Sequence, residues 1–368
     1  MLRVIIFCSS LVRLGPTNVM YNMLEAYSRT GQSNVKFIIL TISPELEDSR
    51  WEEFERLGFD LDSCNLKPGM HDVFEIHKVK SKILKYNPDI VHSYGFRADV
   101  ITALMNLPKI RKISSLFNNP FEDYTMLFGK FKGLLMARTH VRLLKKFNSV
   151  IVCSNFIKNK VDRYGLGLST IYTGVPEEVF HPLQKEERDL KRENLHIPSD
   201  TNVYIFIGNL IPRKNPLFLI KTFKKLKDQN KLLIVMGDGP LMEQCKQECG
   251  DADNIRLIGA QPGTVEYLQI SDYYISASFS EGFPTAVLEA MSVGIQPLLS
   301  DIAPHKEMAN LFSYPCIFKN NDEESLINLI NTIESSYQGT NIRNIFLSNL
   351  TSLIMQKRYV EKYYSIMS

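Results

Sequence analysis

The sequence has little tryptophan, no cysteine pair at CxxC spacing and no long apolar run. Its 368 residues include one tryptophan and six cysteines, and the cysteines are scattered through mostly apolar, strand-like stretches. We interpret them as reduced thiols of the core, because this spacing fits neither a disulfide framework nor a metal site. No apolar run approaches the roughly 18 residues of a membrane-spanning helix. We therefore expect neither a disulfide-rich protein nor an integral membrane protein.

The start of the chain also lacks the pattern of a secretory leader. Residues 3–7 already have the pattern of a buried strand, and Arg13 and a Gly-Pro turn follow it. A leader would instead show an apolar region and a small-residue cleavage site. We therefore predict a cytoplasmic protein, and we expect no nucleic-acid partner.

Length and composition predict two globular domains. A chain of 368 residues exceeds one ordinary core, and 44% hydrophobic with 23% charged residues is typical of a folded globular protein. Strand-like and helix-like stretches alternate through both halves, which predicts α/β domains with doubly wound parallel sheets. We predict a first domain over 1–180, a linker over 181–198 because this charged stretch has no strand pattern, and a second domain over 199–343.

Positive charge is concentrated in the first half of the chain. The net charge of +3 divides into +6 for 1–180 and −3 for 181–368, and residues 109–163 alone carry +9. Within that stretch, residues 126–147 mix apolar and basic side chains and predict one amphipathic helix with a cationic face. Two interpretations stay open: a solvated helix of the domain, or a surface that docks on an anionic membrane.

The most specific motif lies in residues 280–301. Strand-like residues 273–278 lead into a Gly-Phe-Pro-Thr turn, a short helix and a second strand over 295–300. Pro284 suits the first helical position, so the free amides of the first turn would form an anion site that fits a diphosphate. Glu281 and Glu289 flank this turn, and helical spacing would separate them by about 12 Å with about 80° of rotation. Only an elongated ligand rich in hydroxyl groups could contact both.

The stretch S-E-G-F-P-T-A-V-L-E-A-M-S-V-G resembles the E-x7-E motif of glycosyltransferase family 4. The resemblance implies a GT-B fold, with two Rossmann-like domains facing a central cleft, and transfer with retention of anomeric configuration. It implies that the first domain binds the acceptor and that the second binds the nucleotide sugar. It implies that Glu281 binds the hydroxyl groups of the transferred sugar and that Glu289 binds the ribose of the nucleotide. It also implies that a C-terminal helix over about 344–368 packs back on the first domain.

A second motif follows the first strand of the second domain. Residues 208–214 are similar to the Gly-Arg-x4-Lys motif of the family, whose cations neutralise the donor diphosphate. Lys214 occupies the Lys position, whereas Asn209 replaces the Arg, and Arg213 is the candidate to supply the missing charge. Glu281, Lys214 and Arg213 are therefore the predicted catalytic residues.

The other predicted donor-binding residues follow strands of the two sheets. The family places a Gly-rich loop after the first strand, of which this chain keeps Gly15, and a His-x-His pair at a later strand end, where this chain has His92 and Tyr94. Ligands of parallel sheets collect at the carboxyl ends of strands. The complete predicted donor set is Gly15, His92, Tyr94, Gly208, Asn209, Gly237, Gly239, Gly259, Ala260, Gly282, Phe283, Pro284, Thr285 and Glu289.

The predicted reaction moves a sugar from a nucleotide sugar, expected to be a UDP-sugar, to a hydroxyl of a glycan or lipid-linked acceptor, as in polysaccharide biosynthesis. No D-x-D motif stands in a metal-binding context, so we expect no metal and no cofactor beyond the donor substrate. The acceptor and the basic stretch 126–147 favour the inner face of the cell membrane. Two alternatives stay open: a UDP-sugar epimerase of the same fold, and a catalytically degenerate subunit that binds a partner.

Overall fold

The computed structural model describes residues 1–67, 75–226, 230–312, 315–333 and 339–368, and the chain forms two compact units. Unit 1 contains Met1–Gly174 together with Ser352–Ser368, and unit 2 contains Val175–Thr351. The division therefore lies six residues before the boundary at 180 that the sequence predicted. Residues 181–198, predicted as a linker, belong to unit 2 and contain a helix over Lys185–Asn194.

In the described part of unit 1, seven parallel strands form one sheet in the order β3-β2-β1-β4-β5-β6-β7. Residues 2–8 and 35–41 are long, mostly apolar runs, as expected of strands that are covered on both faces. The strands are β1 (Leu2–Cys8), β2 (Val35–Thr41), β3 (Asp60–Ser63), β4 (Ile90–Tyr94), β5 (Arg111–Leu116), β6 (Ser149–Val152) and β7 (Leu168–Thr170).

Helices cover both faces of this sheet, and each face has its own apolar core. The order of strands changes direction at β1, which lies between β2 and β4, so the sheet is doubly wound. The helices of unit 1 are α1 (Gly15–Arg29), α2 (Trp51–Arg56), α3 (Ile76–Lys85), α4 (Phe96–Leu104), α5 (Pro120–Phe128), α6 (Lys130–Leu144), α7 (Asn155–Val161) and the last helix of the chain, α16 (Ser352–Ser365).

The last helix α16 packs against α1 and buries four of its side chains in the core of unit 1, namely Met355, Tyr359, Val360 and Tyr363. The sequence predicted one terminal helix over about 344–368 on the first domain. The structure instead has two helices, because residues 339–349 form a separate helix that stays with unit 2.

In the described part of unit 2, six parallel strands have the order β10-β9-β8-β11-β12-β13. They are β8 (Asn202–Ile207), β9 (Lys231–Met236), β10 (Ile255–Gly259), β11 (Tyr273–Ser276), β12 (Gln296–Ser300) and β13 (Ile317–Phe318). The helices are α8 (Lys185–Asn194), α9 (Pro216–Lys225), α10 (Met242–Cys249), α11 (Val265–Ile270), α12 (Thr285–Ser292), α13 (Ala303–Ala309), α14 (Glu323–Ile333) and α15 (Gly339–Asn349). The prediction of two Rossmann-like α/β domains is confirmed.

Two arginines attach α8 to unit 2. The side chains of Arg188 and Arg192 each contact Asp272 at 2.6 Å, and Asp272 in turn accepts a hydrogen bond from the backbone amide of Val203 at 2.7 Å. This stretch has no strand pattern because it is a helix. Ion pairs, rather than a broad apolar face, attach the helix to unit 2.

Candidate functional site

The site in unit 2 begins with two loops at the carboxyl ends of neighbouring strands. Strands β8 and β11 pair in parallel, so the turn after β8 and the loop after β11 meet at one edge of the sheet. The turn contains Arg213 and Lys214, and the loop contains Glu281. Lys214 Nζ lies 2.5 Å from Glu281 Oε1, and Arg213 Nη1 lies 3.2 Å from Oε2. The structure thus brings together the three predicted catalytic residues.

These ion pairs decide the protonation state of Glu281. Its side chain is buried, with 9% of the residue exposed. Burial alone would raise the pKa of Glu281, but the charges of Lys214 and Arg213 and the hydrogen bonds of Lys214 and Ser278 outweigh it and lower the pKa to about 2. Glu281 is therefore an ionised hydrogen-bond acceptor at neutral pH, and it has no proton to give.

Glu289, on α12, has the opposite electrostatics. Its one described side-chain partner is the hydroxyl of Thr264, which donates to Oε2 at 3.0 Å. Burial raises the pKa of Glu289 to about 7, and the bond from Thr264 only partly opposes this rise. Near neutral pH this carboxyl group exists in both protonation states, so it can donate as well as accept. No sequence motif pointed to Thr264, although its position before α11, at the same edge of the sheet, was a usable signal.

The turn between the two glutamates differs from the prediction in one respect. Pro284 has extended backbone angles (φ −73°, ψ 113°) and precedes the helix, so Thr285 is the first helical residue. Glu281 lies outside the helix, and the helical spacing of about 12 Å does not describe its distance from Glu289. Gly282, Phe283 and Pro284 are buried, whereas Thr285 is partly exposed. The amino terminus of α12 still opens at this loop.

The predicted glycines after β8 and β9 allow backbone to contact backbone. A Cβ atom on Gly237 would lie 1.9 Å from the carbonyl oxygen of Gly208, and Gly237 has φ +140°. A Cβ on Gly239 would lie 2.7 Å from the carbonyl oxygen of Leu210. Only glycine fits such contacts. These loops are therefore fixed by close packing within the protein itself.

The remaining predicted residues of unit 2 lie at the same edge of the sheet. Asn209 is exposed directly after Gly208 at the end of β8, and Ala260 is exposed after β10. Gly259 ends β10, and its carbonyl accepts from the amide of Gly237 at 2.8 Å. The carboxyl ends of β8, β9, β10 and β11 thus gather the whole predicted donor set of unit 2.

In unit 1 the predicted Gly-rich loop is the start of a helix. Gly15 is the first residue of α1, exposed, with open space around it, so no close backbone approach requires a glycine here. Beside it is a pocket of about 140 Å³ lined by Leu14, Pro16 and Thr17, and by Tyr94 from the end of β4. Tyr94 thus lines a pocket, although only 5% of the residue is exposed.

His92 is a buried structural residue in unit 1. Its Nδ1 lies 2.8 Å from the hydroxyl of Tyr363 on α16, and its Nε2 lies 2.8 Å from Oγ of Ser115 on β5. Burial lowers the pKa of His92 to about 3, so the ring is neutral. The predicted contact between His92 and a donor would require this network to open.

The basic stretch 126–147 is not one helix, which corrects the prediction. Gly129, with φ +79°, separates α5 from α6, because a left-handed residue cannot continue a helix. The connection exposes apolar side chains beside Lys130 and Lys132. We call them the apolar tip: Met126, Leu127, Phe128, Phe131 and Leu135, with exposures of 51%, 66%, 44%, 88% and 61%.

The described residues contain no group of three or more His, Cys, Asp or Glu side chains that could hold a metal ion. In the same part of the chain, every helix is too short or too polar to cross a bilayer.

Family models match both halves of the chain. The model described as "Glycosyltransferase Family 4" matches residues 15–179, and that described as "Glycosyl transferases group 1" matches residues 187–346. Together they cover most of unit 1 and nearly all of unit 2.

Two relatives and one solved structure illustrate the likeness. The chain is 26% identical over 352 residues to the O-antigen biosynthesis glycosyltransferase WclY of Escherichia coli, covering 89% of this chain and 93% of the relative. It is 31% identical over 176 residues to the UDP-Gal:alpha-D-GlcNAc-diphosphoundecaprenol alpha-1,3-galactosyltransferase of Escherichia coli, covering 46% and 43%. The Anabaena HepE structure in complex with UDP aligns with TM-score 0.81 at 15% identity, covering 99% and 100%.

The matches differ in extent. The chain spans 66%, 43% and 54% of the length of three of its curated relatives, the galactosyltransferase among them. The similarity to HepE extends over both units, and at 15% identity it concerns the fold.

Proposed function

The chain belongs to glycosyltransferase family 4 and has its GT-B fold, and from this premise we propose that it is a retaining glycosyltransferase of polysaccharide biosynthesis. The reaction moves a sugar from a UDP-sugar to a hydroxyl group of a glycan or lipid-linked acceptor. One observation carries the proposal: Glu281 is held ionised by Lys214 and Arg213 at the edge of the sheet where α12 begins.

The charges of this site suit the leaving group of the reaction. Breaking the bond between sugar and nucleotide develops negative charge on the diphosphate and positive charge on the sugar. Lys214, Arg213 and the amino terminus of α12 supply positive charge for the diphosphate. Glu281 supplies negative charge and hydrogen-bond acceptors for the sugar. Because these cations belong to the chain, the proposed mechanism needs no metal ion.

Two comparisons support a UDP-sugar as the donor. HepE was solved with UDP, and the galactosyltransferase relative is named for UDP-Gal. Glu289 is the proposed partner of the ribose hydroxyls, and with a pKa of about 7 it can both donate to and accept from them.

The apolar tip supports a membrane-bound acceptor. Five large apolar side chains are exposed between residues 126 and 135, beside Lys130 and Lys132. Apolar groups flanked by cations suit the interface of an anionic bilayer. One relative is named for a substrate on diphosphoundecaprenol, which is a lipid carrier. We infer that unit 1 binds the inner face of the cell membrane through this tip.

Calorimetric titration with a panel of nucleotide sugars tests the donor site. We expect one UDP-sugar to bind, and Lys214→Ala and Glu289→Ala each to weaken it by about 1–3 kcal/mol, as for hydrogen bonds of charged groups. Lys246→Ala is the matched control, since Lys246 is exposed on α10 and pairs with Glu243. If both variants bind every nucleotide sugar as wild type does, the donor site is wrong. Addition of an acceptor should release UDP, whereas an epimerase would change the sugar without releasing UDP.

Vesicle sedimentation tests the membrane surface. We expect the protein to bind vesicles that contain phosphatidylglycerol more tightly than pure phosphatidylcholine vesicles, and the double variant Leu127→Ser/Phe131→Ser to lose most of this binding. Leu84→Ser is the control, because Leu84 is an exposed apolar residue of α3 in the same unit and lies outside the apolar tip. Equal binding by the double variant and the control would refute a role for the tip.

A further inference from the structure

A pocket of about 520 Å³ lies at the amino ends of the strands of unit 1, and none of the predicted site residues lines it. Its wall is formed by the loop between α4 and β5, the first residues of β5 and the residues before β6. The carboxyl end of β5, at Leu116, is about 16 Å away along the strand. Small-molecule sites have volumes of roughly 300–1,000 Å³, so the pocket has room for a metabolite.

The wall of this pocket carries positive charge alone. Among the described residues that line it, four are basic and none is acidic. The four are Lys109, Arg111, Lys112 and Lys146. Within the described ranges of the chain, no ion pair involves any of them, whereas Lys36 of the same sheet pairs with Asp60 at 2.7 Å. The unbalanced charge is therefore a local property of this pocket.

The acidic residue beside this wall is already engaged. The backbone amide of Arg111 donates to the carbonyl oxygen of Asp89 at 2.9 Å, so the two residues are neighbours. The carboxylate of Asp89 accepts from the backbone amide of Arg3 at 2.8 Å. It thus binds a backbone group and makes no ion pair with the cations of the pocket in the described structure.

Lys112 is the half-buried member of the basic set. Its Nζ donates to the carbonyl oxygen of Met105 at 2.6 Å, which fixes the ammonium group. Burial and, second, the positive charge of Lys146 lower the pKa of Lys112. Two like charges are thus held near each other, and an anion bound between them would reduce their repulsion. The ammonium group has two further hydrogens to donate to such an anion.

Backbone hydrogen bonds fix the wall of the pocket on both sides. A bond of 3.2 Å closes residues 107–110 into a turn, with Pro108 at its second position. On the other side, Asn148 accepts from the amide of Lys112 through Oδ1 at 2.8 Å. Because a backbone amide only donates, the oxygen of Asn148 faces Lys112, and its NH₂ group is a further donor at the pocket. The donors are therefore in place before a ligand binds.

The types of these donors favour phosphate. The guanidinium of Arg111 has a planar fork that matches two phosphate oxygens, and lysine ammonium groups bind phosphate as point charges. A phosphate group carries up to two negative charges and three acceptor oxygens. One or two phosphate groups therefore match the charge of the four cations better than a single carboxylate does.

We propose that this pocket binds a phosphorylated anion of metabolite size through Arg111, Lys112 and Lys146. A free phosphate ester and a phospholipid headgroup share this chemistry. The position of the pocket favours the free ligand, because Lys146 follows the end of α6 whereas Phe131 of the apolar tip lies near its start, about 20 Å away along the helix. The site does not depend on the proposed transferase function.

Calorimetric titration of inorganic pyrophosphate into the full chain tests the site. The titration uses the Lys214→Ala background, so that the candidate donor site contributes less to binding. We expect pyrophosphate to bind, and Arg111→Gln and Lys146→Gln each to weaken this binding about fivefold to tenfold, as the loss of one charge-assisted contact does.

Lys145→Gln is the matched control for both variants. Lys145 is exposed next to Lys146, carries the same charge and does not line the pocket, so its loss should weaken pyrophosphate binding less than about twofold. Equal weakening by all three variants would show attraction to the general surface charge, and it would refute the site.

Sedimentation with phosphatidylglycerol vesicles distinguishes the two sources of phosphate. For a free ligand, we expect Arg111→Gln and Lys145→Gln to bind these vesicles equally. A loss of vesicle binding in Arg111→Gln but not in Lys145→Gln would assign the phosphate to a lipid headgroup. The proposal is overturned if pyrophosphate does not bind and the two variants also bind vesicles equally. Binding of a UDP-sugar is measured separately, so this outcome would leave the transferase function in place.

Discussion

The two units have the same kind of sheet but different side chains at its functional edge. In unit 2, three charged groups are in direct contact at the ends of β8 and β11, namely Glu281, Lys214 and Arg213. In unit 1, β4 carries the neutral, buried His92, whose Nε2 lies 2.8 Å from Oγ of Ser115 on β5, and Asp99 and His140 form a second buried pair. Parallel sheets of this kind bind ligands at the carboxyl ends of their strands, and the side chains there decide which class of ligand fits. The charges of unit 2 suit the diphosphate of the donor that we propose.

A second contrast lies within unit 2, between the two glutamates of one motif. Glu281 has two cations within 3.2 Å, and its pKa is about 2. Glu289 has the Thr264 hydroxyl as its described partner, and its pKa is about 7. Two residues of the same type therefore differ in protonation at neutral pH, because their environments differ.

The largest expected effect comes from removing the charge of Glu281. Glu281→Gln keeps the size of the side chain but leaves Lys214 and Arg213 without their shared carboxylate. We expect UDP release in the presence of acceptor to fall at least a hundredfold, since a preorganised charge at the reacting sugar contributes about 3–4 kcal/mol.

The control for this variant is Glu324→Gln, because Glu324 is exposed on α14 of the same unit. It should release UDP at the wild-type rate. A Glu281→Gln variant that keeps more than a tenth of the activity would show that the ion-paired carboxylate is not part of the reaction. The charged edge of unit 2 would then not be the reaction site.

The next effect compares the glycines of the two units. Gly237→Ala places a Cβ 1.9 Å from the carbonyl oxygen of Gly208, so we expect unit 2 to lose about 2 kcal/mol or more of stability in urea unfolding. Gly15→Ala has open space and helical backbone, so unit 1 should be unchanged or up to about 1 kcal/mol more stable. Equal losses in both variants would contradict the distinction between the two loops.

The pH dependence of stability sharpens the contrast between the glutamates. The pKa of Glu289 is raised from an ordinary value of 4.5 to about 7, so the folded state holds a proton that the unfolded state releases in this range. This group therefore contributes full stability below pH 4.5 and loses that contribution as the pH rises to 7. We expect unit 2 of the wild type to lose about 1–3 kcal/mol over this window.

Urea unfolding at pH 5 and pH 8 measures this loss. In Glu289→Gln the side chain is neutral at both pH values and can still accept from Thr264, so the part of the change that Glu289 causes should disappear. The pKa of Glu281 is lowered, so its contribution is lost only below pH 4.5 and does not enter this range. An identical pH dependence in variant and wild type would show that Glu289 is not protonated in the folded protein.

Much of the fold and of the charged site was predictable from sequence because both depend on local patterns. Apolar runs such as Val203–Ile207 define buried strands, and the motifs around Lys214 and Glu281 follow such strands directly. Parallel strands then bring those motifs to one edge. Family resemblance named the roles, and the structure added the ion pair between residues 67 positions apart.

The rest depends on contacts that no local pattern contains. His92 and Tyr363 are 271 positions apart, and Asp99 and His140 are 41 positions apart, so neither pair forms a motif. The single glycine that divides α5 from α6 is not distinguishable in sequence from a glycine that a helix tolerates. The pKa of Glu289 is raised by burial, which only the packed structure determines.

The smallest expected effect concerns the network that joins α16 to the sheet of unit 1. Tyr363→Phe removes the hydroxyl that contacts Nδ1 of His92 at 2.8 Å but keeps the buried ring. Loss of one buried hydrogen bond should destabilise unit 1 by about 1 kcal/mol in urea unfolding, with UDP-sugar affinity unchanged. Tyr364→Phe, whose hydroxyl contacts the backbone of Asn34 at the surface, is the control and should cost less. If UDP-sugar affinity falls in Tyr363→Phe but not in Tyr364→Phe, His92 contacts the donor. The variant frees Nδ1 of His92, so an effect on donor affinity would be transmitted through this ring.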